Sequence, residues 1–302
     1  MPSYAFFRNQ FVPLAEAKIG IMTHALHYGT AAFEGIRGNW NDAQQQLYLF
    51  RLREHYERLY DGCRILKIDL AYSVDRLCQI TTELVEKCGF KEDIYVRPVA
   101  YKSSESLGVR LHDLDADFFV VAFPWGPYLD IDKARCIVSS WRRPTETPQA
   151  KLTGLYISSA LAKTEAIGKG YHEAIMLTAD GYVAEGSGEN IFLVEDGGLI
   201  TPPSRINILT GITRGTAMEL AASELGIETK ARQISRSQLY TADECFFTGT
   251  AANITPVAEI DDRRIGDGEI GSVTRKLQDI YADVIRGQSP KYLGWCTPVY
   301  KK

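Results

Sequence analysis

The chain has 302 residues, 45% of them hydrophobic and 24% charged, with a formal net charge of −4. This is the composition of a globular protein that is long enough for one large domain or two smaller ones. Lysine and arginine are scattered along the chain, which argues against the basic patch that binding to nucleic acid or to an anionic membrane requires.

The first third of the chain mixes predicted strands and helices. The runs SYAFFRN, QQLYLFR, DIYVRPVAY and ADFFVVAFPW are rich in β-formers and predict strands. REHYERLYDGCRILK predicts an amphipathic helix, and SVDRLCQITTELVEKCG predicts a second one with Ser73 as N-cap and Gly89 just after its end. Proline and glycine then interrupt the pattern, so we predict a small domain at 1–123, a linker at 124–134 and a larger domain at 135–302.

The second half carries stronger hairpin signals. Asp180-Gly181 and Asp196-Gly197 lie between apolar runs and predict two hairpins. A helix ending at Gly226, a strand pair around the turn FTGTAAN, and a closing amphipathic helix follow. Strands and helices come in blocks rather than in strict alternation, which predicts an α+β fold.

The cysteines and the first residues of the sequence indicate the cellular compartment of the protein. Six cysteines lie far apart without a C-x-x-C pair, so neither a disulfide framework nor a metal site is predicted. The segment MPSYAFFRNQ lacks the apolar core of a signal peptide, and no apolar run is long enough to span a bilayer. We therefore expect a cytoplasmic protein.

Lys151 precedes the uncharged, helix-forming run LTGLYISSAL. A lysine at a helix start opposes the helix dipole, which favours anions there. A solvated lysine is the ordinary explanation. The alternative is a nucleophilic amine, which needs partial desolvation and an aromatic or cationic neighbour, and Tyr156 follows within the run.

Glu185 lies in a predicted strand among apolar residues and glycines, in the segment GYVAEGSGENIF. An edge-strand glutamate that faces water is one interpretation. If the side chain is buried, it needs a partner, and a cationic ring nitrogen is the functional alternative.

Two turns could hold a phosphate. Thr210, Gly211 and Thr213 precede a helix, whose first backbone N–H groups form a ready anion site, although a plain N-cap explains them equally well. In FTGTAANITP, Gly249 allows the backbone to approach a ligand and Thr250 offers a hydroxyl.

Arg58 offers a bidentate guanidinium for a phosphate, although a surface arginine on a helix is the commoner case. Each of these features is weak alone. Together the amine of Lys151, the carboxylate of Glu185, the two turns and Arg58 form the set of groups that holds pyridoxal 5′-phosphate.

Seven features of the sequence form one pattern. In order, they are HALHYGTAAFEGIR (24–37), YVRP (95–98), AFPWGPYL (122–129), Lys151 with Tyr156, EGSGENIF (185–192), LTGITR (209–214) and GTAANITP (249–256). With these features the chain resembles the branched-chain amino acid aminotransferases, which are fold-type IV pyridoxal-phosphate enzymes. One departure is threonine at position 210, where relatives often carry proline.

The resemblance implies a two-domain fold with a small N-terminal α/β domain, a larger C-terminal domain with a barrel-like sheet, and an active site between them. It implies pyridoxal 5′-phosphate as cofactor. Lys151 would form the Schiff base and carry the proton between substrate and cofactor, and Glu185 would pair with the pyridine nitrogen. The implied cofactor-binding residues are Arg58, Lys151, Tyr156, Glu185, Leu209, Ile212, Thr213 and Thr250.

The same resemblance implies a substrate pocket and small-molecule amino and keto acids as partners. Arg37 and Arg97 would bind the second carboxylate of glutamate. Tyr28 and Val109 would come from the neighbouring subunit, which makes the protein a homodimer or a larger homo-oligomer with a shared active site. The implied substrate-binding residues are Tyr28, Phe33, Gly35, Arg37, Tyr95, Arg97, Val109, Trp125, Tyr128, Thr250 and Ala251.

The implied reaction is the transamination of L-leucine, L-isoleucine and L-valine with 2-oxoglutarate or glutamate. Transaminases of D-amino acids or R-amines and aminodeoxychorismate lyase share the fold, and YVRP and GTAA favour the branched-chain reaction over them. A phosphate- or nucleotide-binding protein without catalysis remains an alternative from another class. A metal hydrolase is disfavoured, because His24 and His27 have no third ligand nearby in the sequence.

Overall fold

The computed structural model describes residues 3–126, 131–144, 146, 149–204 and 208–300. The chain divides into two compact units that are not continuous in sequence. The first comprises Met1–Gly126, Ala150–Gly154 and Asp283–Lys302, and the second comprises Pro127–Gln149 and Leu155–Ala282. The predicted linker at 124–134 stays a prediction, since residues 127–130 lie outside the described part of the chain.

The first unit contains a sheet of eight strands among its described residues. The order is β17-β5-β4-β6-β7-β1-β2, with β3 also paired to β6, and every pairing is antiparallel. The longest ladder joins β6 and β7 from Ile94↔Pro124 to Lys102↔Ala116. The strands are β1 Tyr4–Phe7, β2 Gln10–Pro13, β3 Ala31–Phe33, β4 Ile36–Asn41, β5 Gln46–Phe50, β6 Ile94–Lys102, β7 Ala116–Pro124 and β17 Cys296–Pro298.

Three helices belong to the first unit: α1 His24–Tyr28, α2 Leu52–Ile65 and α3 Val74–Cys88. The caps of α3 are those predicted, because the Ser73 side chain accepts a hydrogen bond from the Arg76 N–H and Gly89 has a left-handed φ of 68°. Both α2 and α3 bury an apolar stripe, and their charged residues are exposed or half-buried.

The second unit contains a sheet of nine strands in its described part. The order is β10-β9-β8-β15-β14-β11-β12-β13, with β16 paired to β15. Three pairings are parallel, namely β8 with β9, β8 with β15, and β12 with β13. The strands are β8 Ala134–Arg142, β9 Glu173–Leu177, β10 Val183–Gly186, β11 Asn190–Glu195, β12 Gly198–Thr201, β13 Thr229–Ala231, β14 Glu244–Gly249, β15 Asn253–Ile260 and β16 Arg263–Arg264.

The remaining helices are α4 Tyr156–Gly168, α5 Ile212–Leu225 and α6 Ser272–Ile285. The two predicted Asp-Gly hairpins are present, since β9 pairs with β10 and β11 pairs with β12. Helix α5 ends at a left-handed Gly226, as predicted. The 3₁₀ turns are Leu14–Glu16, Thr153–Leu155, Arg236–Tyr240 and Pro290–Trp295.

The predicted place of Lys151 at a helix start is wrong. A 3₁₀ turn at Thr153–Leu155 intervenes, and α4 begins only at Tyr156. Lys151 instead lies in a short extended segment, because Ala32 and Leu152 form an antiparallel bridge. No helix begins at Lys151, so a helix dipole does not disfavour the positive charge of this lysine.

Candidate functional site

In the first unit, Lys151 is held against the end of β3. The Phe33 N–H donates a hydrogen bond of 3.0 Å to the Lys151 carbonyl, and the Thr153 hydroxyl donates one of 2.9 Å to the Gly29 carbonyl. The Lys151 amine lies 4.8 Å from the centre of the Phe33 ring. The lysine is thus half-buried and has the aromatic neighbour that a nucleophilic amine needs.

An arginine lies beside the same phenylalanine and links it to two further aromatic rings. The Arg97 guanidinium lies 4.7 Å from the centre of the Phe33 ring, and its Nη2 donates a hydrogen bond of 3.1 Å to the Tyr95 hydroxyl. Tyr95 packs edge-on against Trp125 at 4.5 Å. A Cβ on residue 35 would overlap the Tyr95 hydroxyl, so Gly35 makes room for that ring. These substrate-binding candidates therefore form one cluster.

Arg37 is buried in the first unit beside a carboxylate. Its Nη1 donates a hydrogen bond of 3.2 Å to the Gly126 carbonyl, and its Nη2 lies 3.8 Å from the Asp93 carboxylate. Asp93 also binds the Trp40 N–H and Arg286. The structure thus gives Arg37 a different set of polar contacts from those of Arg97.

Arg58 belongs to a buried group of three side chains that the sequence did not reveal. Its Nε and Nη2 donate hydrogen bonds of 2.6 and 2.8 Å to the two carboxylate oxygens of Glu34. The His55 Nδ1 donates to the same carboxylate at 2.7 Å. Burial raises the pKa of Glu34, but the charges and hydrogen bonds of Arg58 and His55 outweigh it and hold that pKa far below its usual range. Arg58 is therefore fixed in orientation.

In the second unit, Glu185 on β10 is buried, with 5% of its surface exposed. It forms an ion pair with Arg143. It also accepts hydrogen bonds from the Asn190 side chain at 2.9 Å and from the Leu209 N–H at 3.1 Å. The interpretation of Glu185 as a water-facing residue is thereby wrong, and Arg143 and Asn190 are partners that the sequence analysis missed.

Glu185, Arg143 and Asn190 line one small pocket of the second unit. Tyr156, at the first turn of α4, and Leu209 line the same pocket. A hydroxyl, an apolar side chain and a buried carboxylate therefore face a common space.

The phosphate-binding candidates occupy two turns of the second unit. Helix α5 begins at Ile212 after Gly211, and no side chain caps it. Its first N–H groups, including those of Ile212 and Thr213, have no acceptor within the helix. A Cβ on residue 211 would overlap the Asn190 side chain. Thr250 lies in the turn between β14 and β15, after Gly249.

Tyr28 and Val109 lie on an exposed apolar surface of the first unit. Val109 is 91% exposed. The neighbouring Gly108 accepts a hydrogen bond from His24 Nε2 at 2.9 Å and donates one of 3.0 Å to the Tyr28 hydroxyl. We call this surface the α1 patch; its exposed apolar residues are Ile21, Met22, Leu26, Tyr28, Leu107 and Val109. Tyr128 lies outside the described residues.

The second-unit site fits pyridoxal 5′-phosphate. A buried carboxylate held by three donors suits a protonated ring nitrogen, and an uncapped helix start with a glycine before it suits a phosphate. Within the described residues, no group of three or more His, Cys, Asp or Glu side chains is arranged to hold a metal ion.

Comparison with known proteins identifies the family. The family model for class IV amino-transferases matches residues 31–260. The chain belongs to the class IV aminotransferases. A probable branched-chain-amino-acid aminotransferase of Aquifex aeolicus is 50% identical over 99% of this chain and 97% of its own length.

Solved structures of this class superpose closely on this aminotransferase. The branched-chain aminotransferase of Thermoproteus uzoniensis with norvaline has a TM-score of 0.95 and 44% identity, covering 99% of this chain and all of its own. The branched-chain amino acid aminotransferase of Thermobaculum terrenum in its PLP form has a TM-score of 0.95 and 37% identity, covering 99% of each chain. The predicted fold class is confirmed. None of the helices in the described ranges has the length and apolarity to span a membrane.

Proposed function

We propose that this aminotransferase transfers the amino group between L-leucine, L-isoleucine or L-valine and 2-oxoglutarate, with pyridoxal 5′-phosphate as cofactor. The observation that carries the proposal is the end-to-end similarity to branched-chain aminotransferases, at 50% identity in one case. The same similarity supports the L-branched-chain reaction over the D-amino acid and R-amine alternatives.

The cofactor supplies a conjugated ring that accepts electrons and so makes the substrate Cα–H acidic. Glu185 would hold the proton on the ring nitrogen, since its charge is stabilised by the Arg143 ion pair. The Ile212 and Thr213 N–H groups, the Thr250 hydroxyl and Arg58 would bind the phosphate.

Three residues complete the proposed cofactor site. Tyr156 would donate a hydrogen bond to the ring hydroxyl oxygen, and Leu209 would pack on the ring. The Lys151 amine would hold the cofactor covalently and move the proton from the substrate Cα. The aromatic ring of Phe33 beside that amine supports this role.

The aromatic cluster of the first unit provides the proposed substrate pocket. Phe33, Tyr95 and Trp125 offer an apolar surface for a branched side chain. Arg97 would bind the second carboxylate of glutamate at the edge of that surface. The Thr250 and Ala251 N–H groups, with Tyr95, would bind the α-carboxylate. Arg37 and Tyr128 are the other proposed contributors to the pocket.

A homodimer with a shared active site is part of the proposal, and the α1 patch supports it. Large apolar side chains that are exposed together mark an interaction surface, and Val109 is almost wholly exposed. In a dimer the patch would be covered by a second copy, and Tyr28 and Val109 would enter the partner's site. The six cysteines are free thiols, which supports the proposed cytoplasmic location.

Substrate addition to the cofactor-loaded enzyme tests the function. L-leucine should remove the visible absorbance of the lysine-bound cofactor, and 2-oxoglutarate should restore it. Loss of absorbance with D-alanine but not with L-leucine would favour the D-specific alternative. A protein that gains no absorbance on addition of the cofactor would favour the noncatalytic phosphate-binding protein.

Borohydride reduction tests the role of Lys151. In the wild type, reduction should fix the cofactor to the peptide that contains Lys151, as read by mass spectrometry. The Lys151→Ala variant should bind the cofactor without fixing it. Fixation at another lysine in the wild type would remove the assigned role.

A further inference from the structure

Glu189 closes the turn between β10 and β11 and is buried, with 4% of its surface exposed. Its carbonyl accepts a hydrogen bond of 2.7 Å from the Gly186 N–H, and its Oε2 accepts one of 3.1 Å from the Gly188 N–H. The side chain therefore folds back over its own turn.

The Glu189 side chain packs against two glycines. A Cβ on residue 186 would lie 2.6 Å from Glu189 Oε2, and a Cβ on residue 249 would lie 3.4 Å from Glu189 Cγ. Gly186 follows Glu185, and Gly249 precedes Thr250. The side chain thus connects the strand of Glu185 with the turn of Thr250, and it lines the same pocket as Glu185.

Within the described part of the chain, the charged and titratable groups that act on Glu189 come from four elements. They are Glu173 on β9, Glu185 on β10, Lys163 on α4 and Cys136 on β8. Lys163 donates a hydrogen bond of 2.6 Å to the Glu173 carboxylate. Arg143, which lines the pocket, forms an ion pair with Glu185. Lys163 and Arg143 therefore each already bind another carboxylate, Glu173 and Glu185 respectively.

We propose that Glu189 is a positioning residue that joins the Glu185 strand to the Thr250 turn in its uncharged form, so that its ionisation weakens cofactor binding. The inference rests on the proposed function, in which these two segments bind the ring nitrogen and the phosphate. A negative Glu189 repels both the Glu185 carboxylate and the phosphate.

The carboxyl group of Glu189 titrates within a pH range in which cofactor binding can be measured. Burial, and then the charge of Glu173, raise the pKa of Glu189 to about 8. If only the protonated form of Glu189 allows the cofactor to bind, this group alone lowers the affinity about tenfold between about pH 7 and about pH 9. Above a pKa, each pH unit reduces the protonated fraction about tenfold.

Calorimetric binding of pyridoxamine 5′-phosphate to the full-length apoenzyme tests the proposal. This probe forms no covalent bond with Lys151. We expect the Kd of the wild type to rise about tenfold more than that of Glu189→Gln over this pH range. The control Glu195→Gln, at the far end of the strand β11 that follows Glu189 and paired with Arg232 at the surface, should behave as the wild type.

Two outcomes overturn the proposal. The first is an equal pH dependence of the Kd in the wild type and Glu189→Gln. The second is no binding of pyridoxamine 5′-phosphate at about pH 7, and in that case the proposed function fails as well. If Glu189→Gln does not fold, an infrared titration of the wild type decides. A protonated carboxyl band that disappears near pH 8 supports the proposal, and its absence at about pH 7 overturns it.

Discussion

Replacing Glu34 by glutamine tests the buried group of Glu34, His55 and Arg58. Glu34 has no exposed surface and receives hydrogen bonds from both partners at 2.6 to 2.8 Å. Glutamine keeps the shape but removes the negative charge, and it turns an amide N–H₂ toward a guanidinium or an imidazole that also donates. Arg58, with only 12% of its side chain exposed, is then left beside a neutral group.

The expected loss of stability follows from that geometry. Removing one partner of a buried ion pair costs about 3–5 kcal/mol, because the other charge stays desolvated. We expect the free energy of unfolding of the first unit to fall by this amount at about pH 7. Trp40, Trp125 and Trp295 belong to that unit, so urea unfolding followed by tryptophan fluorescence in a Trp141→Phe background reports on it.

A control variant and the pH dependence of stability make the test specific to the buried pair. The control Glu57→Gln, on helix α2 with His55 and Arg58 and with an exposed pair to Arg53 at 3.9 Å, should cost at most about 1 kcal/mol. Because the pKa of Glu34 is lowered on folding, its stabilisation is complete above the unfolded pKa and is lost as the pH falls below it. The difference in the free energy of unfolding between the wild type and Glu34→Gln should therefore decrease as the solution becomes acidic. A difference below about 1 kcal/mol at neutral pH would refute the reasoning.

Three further changes test the site and the dimer. Glu185→Gln should slow the half-reaction with L-leucine by about 10²–10³ in stopped-flow absorbance, and an unchanged rate would contradict its role. Gly35→Ala displaces the Tyr95 hydroxyl and should raise the KM for L-leucine while the cofactor absorbance persists; an unchanged KM would count against the pocket. Val109→Asp places a charge in the α1 patch and should shift the mass in solution from dimer toward monomer by sedimentation, whereas an intact dimer would argue that the patch is not the interface.

Elements whose signals are local were predictable from the sequence. Ser73 and Gly89 mark the ends of α3 because capping depends on a few adjacent residues. Asp196 and Gly197 form their hairpin because both residues adopt a positive φ, which suits this pair of residue types. The helix and hairpin predictions made on such signals are confirmed.

The place of Lys151 was not predictable in the same way. The residues after it favour a helix, and a local window extends that helix back to the lysine. The structure pairs this segment with β3 instead, through the bridge from Leu152 to Ala32. A pairing between segments that are far apart in sequence leaves no periodic trace in either one.

The polar partners of the site were also missed, for a related reason. A buried carboxylate requires a donor or a counter-charge, so the burial of Glu185 implies that a partner exists. It does not say which one, and the sequence offers 34 lysines and arginines. Only the folded chain selects Arg143, from the end of β8, for this carboxylate.

The two ion pairs lead to one consequence for the proposed site. Glu34 with Arg58 in the first unit, and Glu185 with Arg143 in the second, each join a carboxylate to a guanidinium within a single unit. Each pair therefore neutralises its own buried charges before any cofactor binds, which avoids the cost of an isolated charge. A charge-assisted contact also fixes orientation, so the proposed phosphate arginine and ring carboxylate are held in place by the chain itself rather than by the cofactor.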